Sequence, residues 1–160
     1  MADSKKEIIL KRLEAIIAAI QLNTKPNEFS DVYYENTVCY VDRQYAAVTI
    51  DDLEARPMPW VIINNEGEEF NPLPSRNFDN IIKVQIVGFV KLLTDTQNLD
   101  TMMNCLQKDI LVAILTDETL SHLCTYVMPQ RVYPVEEMIN PMGGFVIELD
   151  INYSFTGTSL

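Results

Sequence analysis

Apolar residues recur at helical spacing near the start of the chain. A period close to 3.6 residues over positions 4–22 predicts an amphipathic helix. Its apolar stripe is Ile9, Leu13, Ile16, Ile17 and Ile20. Ser4 to Glu7 has the pattern of a capping box, in which a hydroxyl and a carboxylate each accept a hydrogen bond from a backbone N–H at the helix start. Pro26 lies shortly beyond the predicted end.

A second stretch, over residues 99–115, keeps the helical period without a break and predicts a second amphipathic helix. Its apolar positions are Leu99, Met102, Met103, Leu106, Ile110, Ala113 and Ile114. Residues 94–96 are expected to supply capping oxygens. The two methionines lie on the stripe, which favours a role in the core over a partner-binding face.

Strict alternation of apolar and polar residues predicts two long β-strands. In the first, over residues 81–93, the even positions from Ile82 to Leu92 are apolar and the odd positions are mixed. The second begins after Gly143-Gly144, and one of its faces is apolar while the other is acidic and polar. The apolar positions are Phe145, Ile147, Leu149, Ile151, Tyr153 and Phe155.

Shorter apolar runs predict further strands at residues 37–41, 59–64, 124–128 and 131–133, with the last two separated at Pro129. Residues 45–50 also have strand-like content. Residues 51–57 form a polar interruption, and 117–122 a turn or brief helix. Residues 66–80 are acidic and contain Pro72 and Pro74, which favours an exposed loop or a long hairpin.

The order of elements is helix, several strands, helix, two strands. Strands that are grouped, instead of alternating with helices, indicate an α+β domain with an antiparallel sheet. We expect the two main helices to pack on one face of that sheet. A length of 160 residues with 48% apolar residues fits one domain over residues 1–160.

No apolar run approaches the roughly 20 residues of a membrane-spanning helix. Lys11, Arg12 and Glu14 interrupt the first apolar stretch, so a signal peptide is not expected. We therefore predict a protein that is made in the cytoplasm and does not bind membranes.

The chain is strongly acidic, with 23 acids, 12 bases and a net charge of −11. Four of the bases, Lys5, Lys6, Lys11 and Arg12, lie in the first dozen residues. For Lys5 and Lys6, which lie at the positive end of the helix dipole, a solvated tail is favoured over a contact with an acidic partner. Such an acidic surface repels phosphate backbones and disfavours direct binding of nucleic acid.

The sequence contains little that indicates chemistry. His122 is the only histidine, no glycine-rich loop matches a phosphate cradle, and three scattered cysteines (39, 105 and 124) indicate buried free thiols. Acids are paired at 51–52, 68–69, 136–137 and 148/150. An acidic solvated face is favoured there over a divalent-metal site. No catalytic, cofactor-binding or metal-binding residue is predicted, and we expect no enzyme activity.

The complete pattern resembles a known family of structural proteins. The capped first helix leads to a strand with Val41-Asp42-Arg43, to Pro59-Trp60-Val61-Ile62-Ile63 and to an acidic loop. The long strand 83–89, the helix 99–115 and the closing strand 144–153 follow. This order resembles the tail terminator, or tail completion, proteins of long-tailed bacteriophages.

The resemblance implies a subunit of a homo-oligomeric ring, expected to be a hexamer, that caps the tail tube, ends its polymerisation and docks to the head connector. The partners would be the tail tube protein, a connector or neck protein and, in contractile tails, the sheath protein. Such a ring would lie in the virion, at the tail or neck. DNA would pass through it without specific binding.

The candidate residues follow from the resemblance together with the strand pattern. Glu148, Asp150 and Asn152, on the polar face of the last strand, are candidates for the lumen of the ring. Glu66, Glu68 and Glu69 are candidates for the lumen or for tube contact. Val87 and Phe89, on the mixed face of the long strand, are candidates for the interface between subunits.

Three alternatives remain open. The first is another virion component, such as a head-completion or connector-adaptor protein or a tube-like subunit. The second is a metal-dependent hydrolase or nuclease that uses the clustered acids, although the scarcity of bases argues against a nucleic-acid substrate. The third is a host-side acidic binding module without a role in the virion.

Overall fold

A five-stranded sheet, with strand order β1-β2-β3-β5-β4, forms the centre of the computed structural model. The structure describes residues 2–43, 49–136, 138 and 141–156. The strands are β1 (Tyr40–Asp42), β2 (Trp60–Leu73), β3 (Asn77–Lys91), β4 (Tyr126–Pro134) and β5 (Met142–Thr156). The helices are α1 (Lys5–Ala18), α2 (Ile50–Ala55) and α3 (Leu99–Thr116). The α+β class is confirmed.

The sheet is mixed, whereas a wholly antiparallel sheet was expected. β1 runs parallel to β2, and every other neighbouring pair is antiparallel. A parallel pair requires a crossover connection, and α2 lies within the connection from β1 to β2. The predicted strand content of residues 45–50 lies mostly outside the described residues.

The long helices α1 and α3 pack together on one face of the sheet and form the main core. Their predicted stripes are confirmed: Ile9, Leu13 and Ile17 of α1 are fully buried, as are Leu106 and Ile110 of α3. The predicted alternation of the two long strands is also confirmed, because the even positions of β3 from Ile82 to Val90 and the odd positions of β5 face this core.

The helix starts differ in part from the predicted caps. Ser4 Oγ accepts a hydrogen bond from the Glu7 N–H at 3.2 Å, as expected. The Glu7 carboxylate instead binds both terminal nitrogens of Arg43, at 2.8 and 3.0 Å. At α3 the cap is Asn98, whose side chain accepts from the Thr101 N–H.

The bases of the N-terminal helix pair within the chain, so the expected solvated tail is wrong. Lys6 binds Glu68 at 3.3 Å and Arg12 binds Asp117 at 3.1 Å. Lys5 donates to the backbone oxygen of Ser154, and Lys11 pairs with Asp3. Lys5, Lys6 and Arg12 therefore connect α1 to β5, β2 and the segment after α3, whereas the Lys11–Asp3 pair is local to the N-terminal segment.

The polar interruption expected at residues 51–57 contains the short helix α2. Thr49 and Asp52 form a reciprocal capping box at its start. α2 lies on the face of the sheet opposite α1 and α3, where Leu53 packs with Trp60, Ile62 and Phe89 in a second, smaller core. Within the described residues, no helix is long and apolar enough to cross a membrane.

Residues 66–80, for which the sequence left a loop or a long hairpin open, form the distal half of the β2–β3 hairpin. β2 and β3 pair from Trp60↔Phe89 to Leu73↔Asn77, with one bulge between Asn65 and Gly67. A tight turn at Pro74–Arg76 joins them.

Candidate functional site

Polar side chains lie across the middle of the sheet face that is opposite α1 and α3, called here the outer face. The strand register places Asn64, Gln85, Glu148 and Arg131 in one row across four strands. Lys83 and Asp150 form the neighbouring row. Gln85 and Glu148 of the first row, Lys83 and Asp150 of the second row, and Glu66 line a groove of about 380 Å³.

Glu148, a predicted lumen residue, lies on the outer face in a bidentate ion pair. Arg131 donates from Nε at 2.6 Å and from Nη2 at 3.0 Å, and the Tyr133 hydroxyl donates at 3.3 Å. The hydrogen bond from Arg131 is the main cause of a lowered pKa of Glu148, since it favours the carboxylate form. The same pair raises the pKa of Arg131.

Asp150, the second predicted lumen residue, lies beside Glu148 on the same face. Its carboxylate accepts a hydrogen bond from Lys83 Nζ at 3.0 Å, which raises the pKa of Lys83. The two acids of β5 are therefore both on the open side of the sheet, and each is held by one base.

Asn152, the third predicted lumen residue, is 5% exposed, so its expected position in solvent is wrong. It has the same parity as Glu148 and Asp150, but the register places it between Ile81 of β3 and Tyr126 of β4. Larger side chains flank its short amide on both sides. Alternation predicted its face correctly and its exposure incorrectly.

The three acids predicted as loop contacts separate at the β-bulge. Glu66 and Glu69 are exposed, and Glu66 lines the groove of the outer face. Glu68 turns to the helical side, because a bulge inserts one residue and shifts the alternation that follows. Its side chain is only 12% exposed. The expectation of an exposed Glu68 is therefore wrong.

Glu68 is the centre of a buried polar cluster that sequence reasoning missed. Its carboxylate accepts from Lys6, from Asn80 Nδ2 at 3.0 Å and from the Tyr153 hydroxyl. Burial, and then the bond to Glu68, raises the pKa of Tyr153 to about 12. Gly67, which adopts a φ of 139°, was the available signal for the bulge that creates this cluster.

Phe89, predicted at a subunit interface, is 3% exposed and is therefore already buried within one subunit. Its ring packs at 5.5 Å from that of Trp60, and Leu53 of α2 belongs to the same cluster. Val87 is half-buried beside them. The Thr49–Asp52 capping pattern is the sequence signal that would have predicted the helix that covers Phe89.

The charge of the outer face is negative but largely compensated. Three carboxylates (Glu66, Glu148 and Asp150) and one base (Lys83) line the groove, and a second base, Arg131, pairs with Glu148 beside it. Both bases are engaged by carboxylates at 3.0 Å or less. Little positive charge is therefore left to bind a phosphate group.

The groups considered for metal or acid–base chemistry do not converge. Among the described residues, no three His, Cys, Asp or Glu side chains are placed to hold a metal ion. Asp52 caps α2, and Glu137 lies outside the described residues. His122 lies exposed in a turn, and Cys39 is exposed although buried thiols were expected. Burial raises the pKa of Cys124 to about 11, which leaves that thiol protonated.

Comparison with protein-family models and with curated proteins found no match to this chain.

Proposed function

We propose that the chain is a structural subunit of a ring that caps a bacteriophage tail tube, as the resemblance to tail terminators implies. One observation carries the proposal: Glu148 and Asp150 lie on the sheet face opposite the two long helices, around an open groove. A sheet with its two long helices on one side and an open acidic groove, beside the short helix α2, on the other would have the polarity that a DNA passage requires.

The charge arrangement supports this proposal in a specific way. DNA must slide through such a passage without sticking. The wall should therefore carry no unpaired Lys or Arg, because contacts between these side chains and phosphates release counterions and bind the DNA. On the outer face, Lys83 and Arg131 are each engaged by a carboxylate, and Glu66 and Glu69 add uncompensated negative charge. Around the groove, such a wall would repel DNA weakly and offer it no unpaired base among the described residues.

The experiment that tests the proposal adds the purified protein to polymerising tail tubes and measures tube lengths by electron microscopy. A terminator stops growth, so the mean length falls as the protein concentration rises and each tube end carries one particle. A head-completion or adaptor subunit, the second neck candidate, leaves the length distribution unchanged. Unchanged tube lengths would therefore overturn the terminator assignment.

Two variants serve as controls, one for an exposed acid away from the groove and one for loss of folded protein. Asp95→Asn changes an exposed acid in the loop before α3 and should cap tubes like the wild type. Gly88→Ala, which clashes with Phe145 in the sheet, should lose capping in parallel with the loss of folded protein.

A further inference from the structure

The end of the β2–β3 hairpin differs in character from the rest of the molecule. Residues 69–77, called here the hairpin tip, are all exposed, although the strand pairing joins them to the rest of the sheet. It presents Phe70 (56% exposed) and Leu73 (49% exposed). Arg76 follows them and makes no ion pair with any described residue. The tip carries one acid, Glu69, and one base, Arg76, so it is an apolar projection without net charge on a chain with a net charge of −11.

A groove on the helical layer, called here the α3 groove, has the complementary character. Its volume is about 480 Å³, and its apolar wall consists of Val32, Leu111, Val112 and Leu115. Lys108 also lines the groove, where its charge is paired with Glu35. Val32 is 40% exposed and Leu115 is 49% exposed. Asp31, next to Val32, is exposed and makes no ion pair within the described part of the chain.

The loop that forms one wall of the α3 groove is held firmly. Asp109 of α3 is fully buried, and its carboxylate accepts hydrogen bonds from the Glu35 N–H and from Asn36 Nδ2 at 2.9 to 3.2 Å. Lys108 binds Glu35 at 2.7 Å. Val32 and Asp31 are therefore presented by a loop that is anchored to the helix, which reduces the entropy lost on binding.

We propose that the hairpin tip of one copy docks into the α3 groove of a second copy, with Leu73 against the apolar wall and Arg76 beside Asp31. A second copy is the occupant that matches both features, since the same chain supplies an exposed apolar turn followed by the base Arg76 and an apolar groove wall beside the acid Asp31, both unpaired among the described residues. The two patches are different, so the contact is head-to-tail, the type that closes into rings. The inference rests on the proposed function, for which it names the contact between subunits.

Disulfide trapping tests the contact directly. Leu73→Cys and Leu115→Cys are made in separate full-length chains on a Cys39→Ser background, mixed and oxidised. The control replaces Leu115→Cys by Leu93→Cys, which lies at an 80% exposed position away from the groove. We expect the 73–115 disulfide to form at least about tenfold faster than 73–93, because docking raises the effective thiol concentration toward the millimolar range. Equal rates would overturn the inference.

Charge exchange provides the second measurement. Arg76→Glu and Asp31→Arg should each slow the 73–115 cross-link by about two- to fivefold, as for an exposed ion pair, and the double variant should restore the wild-type rate. Ser75→Gly, in the same turn, should leave the rate unchanged. A double variant no faster than the single variants would contradict the pairing of Arg76 with Asp31.

The two proposals fail in distinguishable ways. If tubes are capped but the 73–115 disulfide is no faster than the control, the ring uses another contact and this inference is wrong. If the disulfide forms rapidly but tubes grow to full length, the contact between copies stands and the terminator assignment is wrong.

Discussion

Two buried or partly buried carboxylates, those of Glu68 and Asp109, each accept hydrogen bonds from several backbone and side-chain donors. Glu68 receives donors from α1, β3 and β5, and Asp109 ties the loop before β1 to α3. A buried carboxylate is tolerated only when such donors satisfy it. Removal of one of these carboxylates should therefore cost far more than removal of a surface acid.

Asp109→Ala should lower the free energy of unfolding by about 3 kcal/mol, because the Glu35 N–H and the Asn36 amide lose their acceptor in a partly buried place. Asp95→Ala, at an exposed position, should change it by less than about 0.5 kcal/mol. Urea unfolding followed by circular dichroism measures both values. Similar values for the two variants would show that Asp109 does not hold the loop.

Tyr153 should make stability depend on pH in the alkaline range. Its pKa is raised from 10.0 to about 12 in the folded protein, so between these values the unfolded chain loses a proton that the folded chain keeps. The stabilisation is complete below pH 10 and decreases as the pH rises toward 12. Tyr153→Phe should flatten this part of the unfolding profile, and Tyr126→Phe, at a 37% exposed position, should not.

Spectroscopic titration gives an independent check on the same residue. In the wild-type protein, the ionisation step at the highest pH should belong to Tyr153. That step should be absent from the titration of Tyr153→Phe and present in that of Tyr126→Phe. A wild-type profile in which all tyrosines ionise together near pH 10 would contradict the burial of Tyr153.

At the scale of elements, β3 and β5 determine the fold, because they pair along their whole length and carry the core on one face. Close packing between them depends on glycine. A Cβ at Gly88 would lie 2.6 Å from Cζ of Phe145, its partner across the strands. The aromatic ring therefore occupies the space that a side chain at position 88 would need.

Gly88→Ala should reduce stability by about 1–3 kcal/mol through overpacking. Phe145→Leu, which makes room, should reduce the effect, so that the double variant is more stable than the sum of the two single changes by at least about 0.5 kcal/mol. Thermal and urea unfolding measure this coupling. Additive effects would indicate that the clash is relieved elsewhere.

The elements differ in how far the sequence predicts them. The period of 3.6 in α1 and α3 and the alternation in β3 and β5 depend on burial on one face, and these predictions are confirmed. Alternation also assigned Glu148 and Asp150 to the outer face. The local pattern does not contain the causes of the other three outcomes. Neighbouring strands bury Asn152, the β-bulge turns Glu68 inward, and α2 covers Phe89.

At the scale of the whole molecule, the account depends on the two long helices lying on one side of the sheet and the open acidic groove, next to α2, lying on the other. Reversal of the charge on the open side should convert a surface that repels DNA into one that binds it. In Glu148→Lys/Asp150→Lys, the two new lysines join Lys83 and Arg131, which lose their carboxylate partners.

This double variant should bind duplex DNA at low salt, and log K should fall with log salt at a slope of about −0.9 for each phosphate neutralised. Asp95→Lys/Asp100→Lys makes the same charge change at exposed positions near the start of α3. It should bind more weakly, because no other described base is released there by the change. Equal affinities in fluorescence anisotropy would show that the outer face has no special role toward DNA.

Electron cryo-microscopy of the protein at the end of a tail tube tests the central claim most directly. We predict one ring of copies on the tube end, with α1 and α3 away from the axis and with Glu148 and Asp150 facing the channel. A ring that turns its helical layer to the channel, or a protein that lies outside the tube end altogether, would contradict the account.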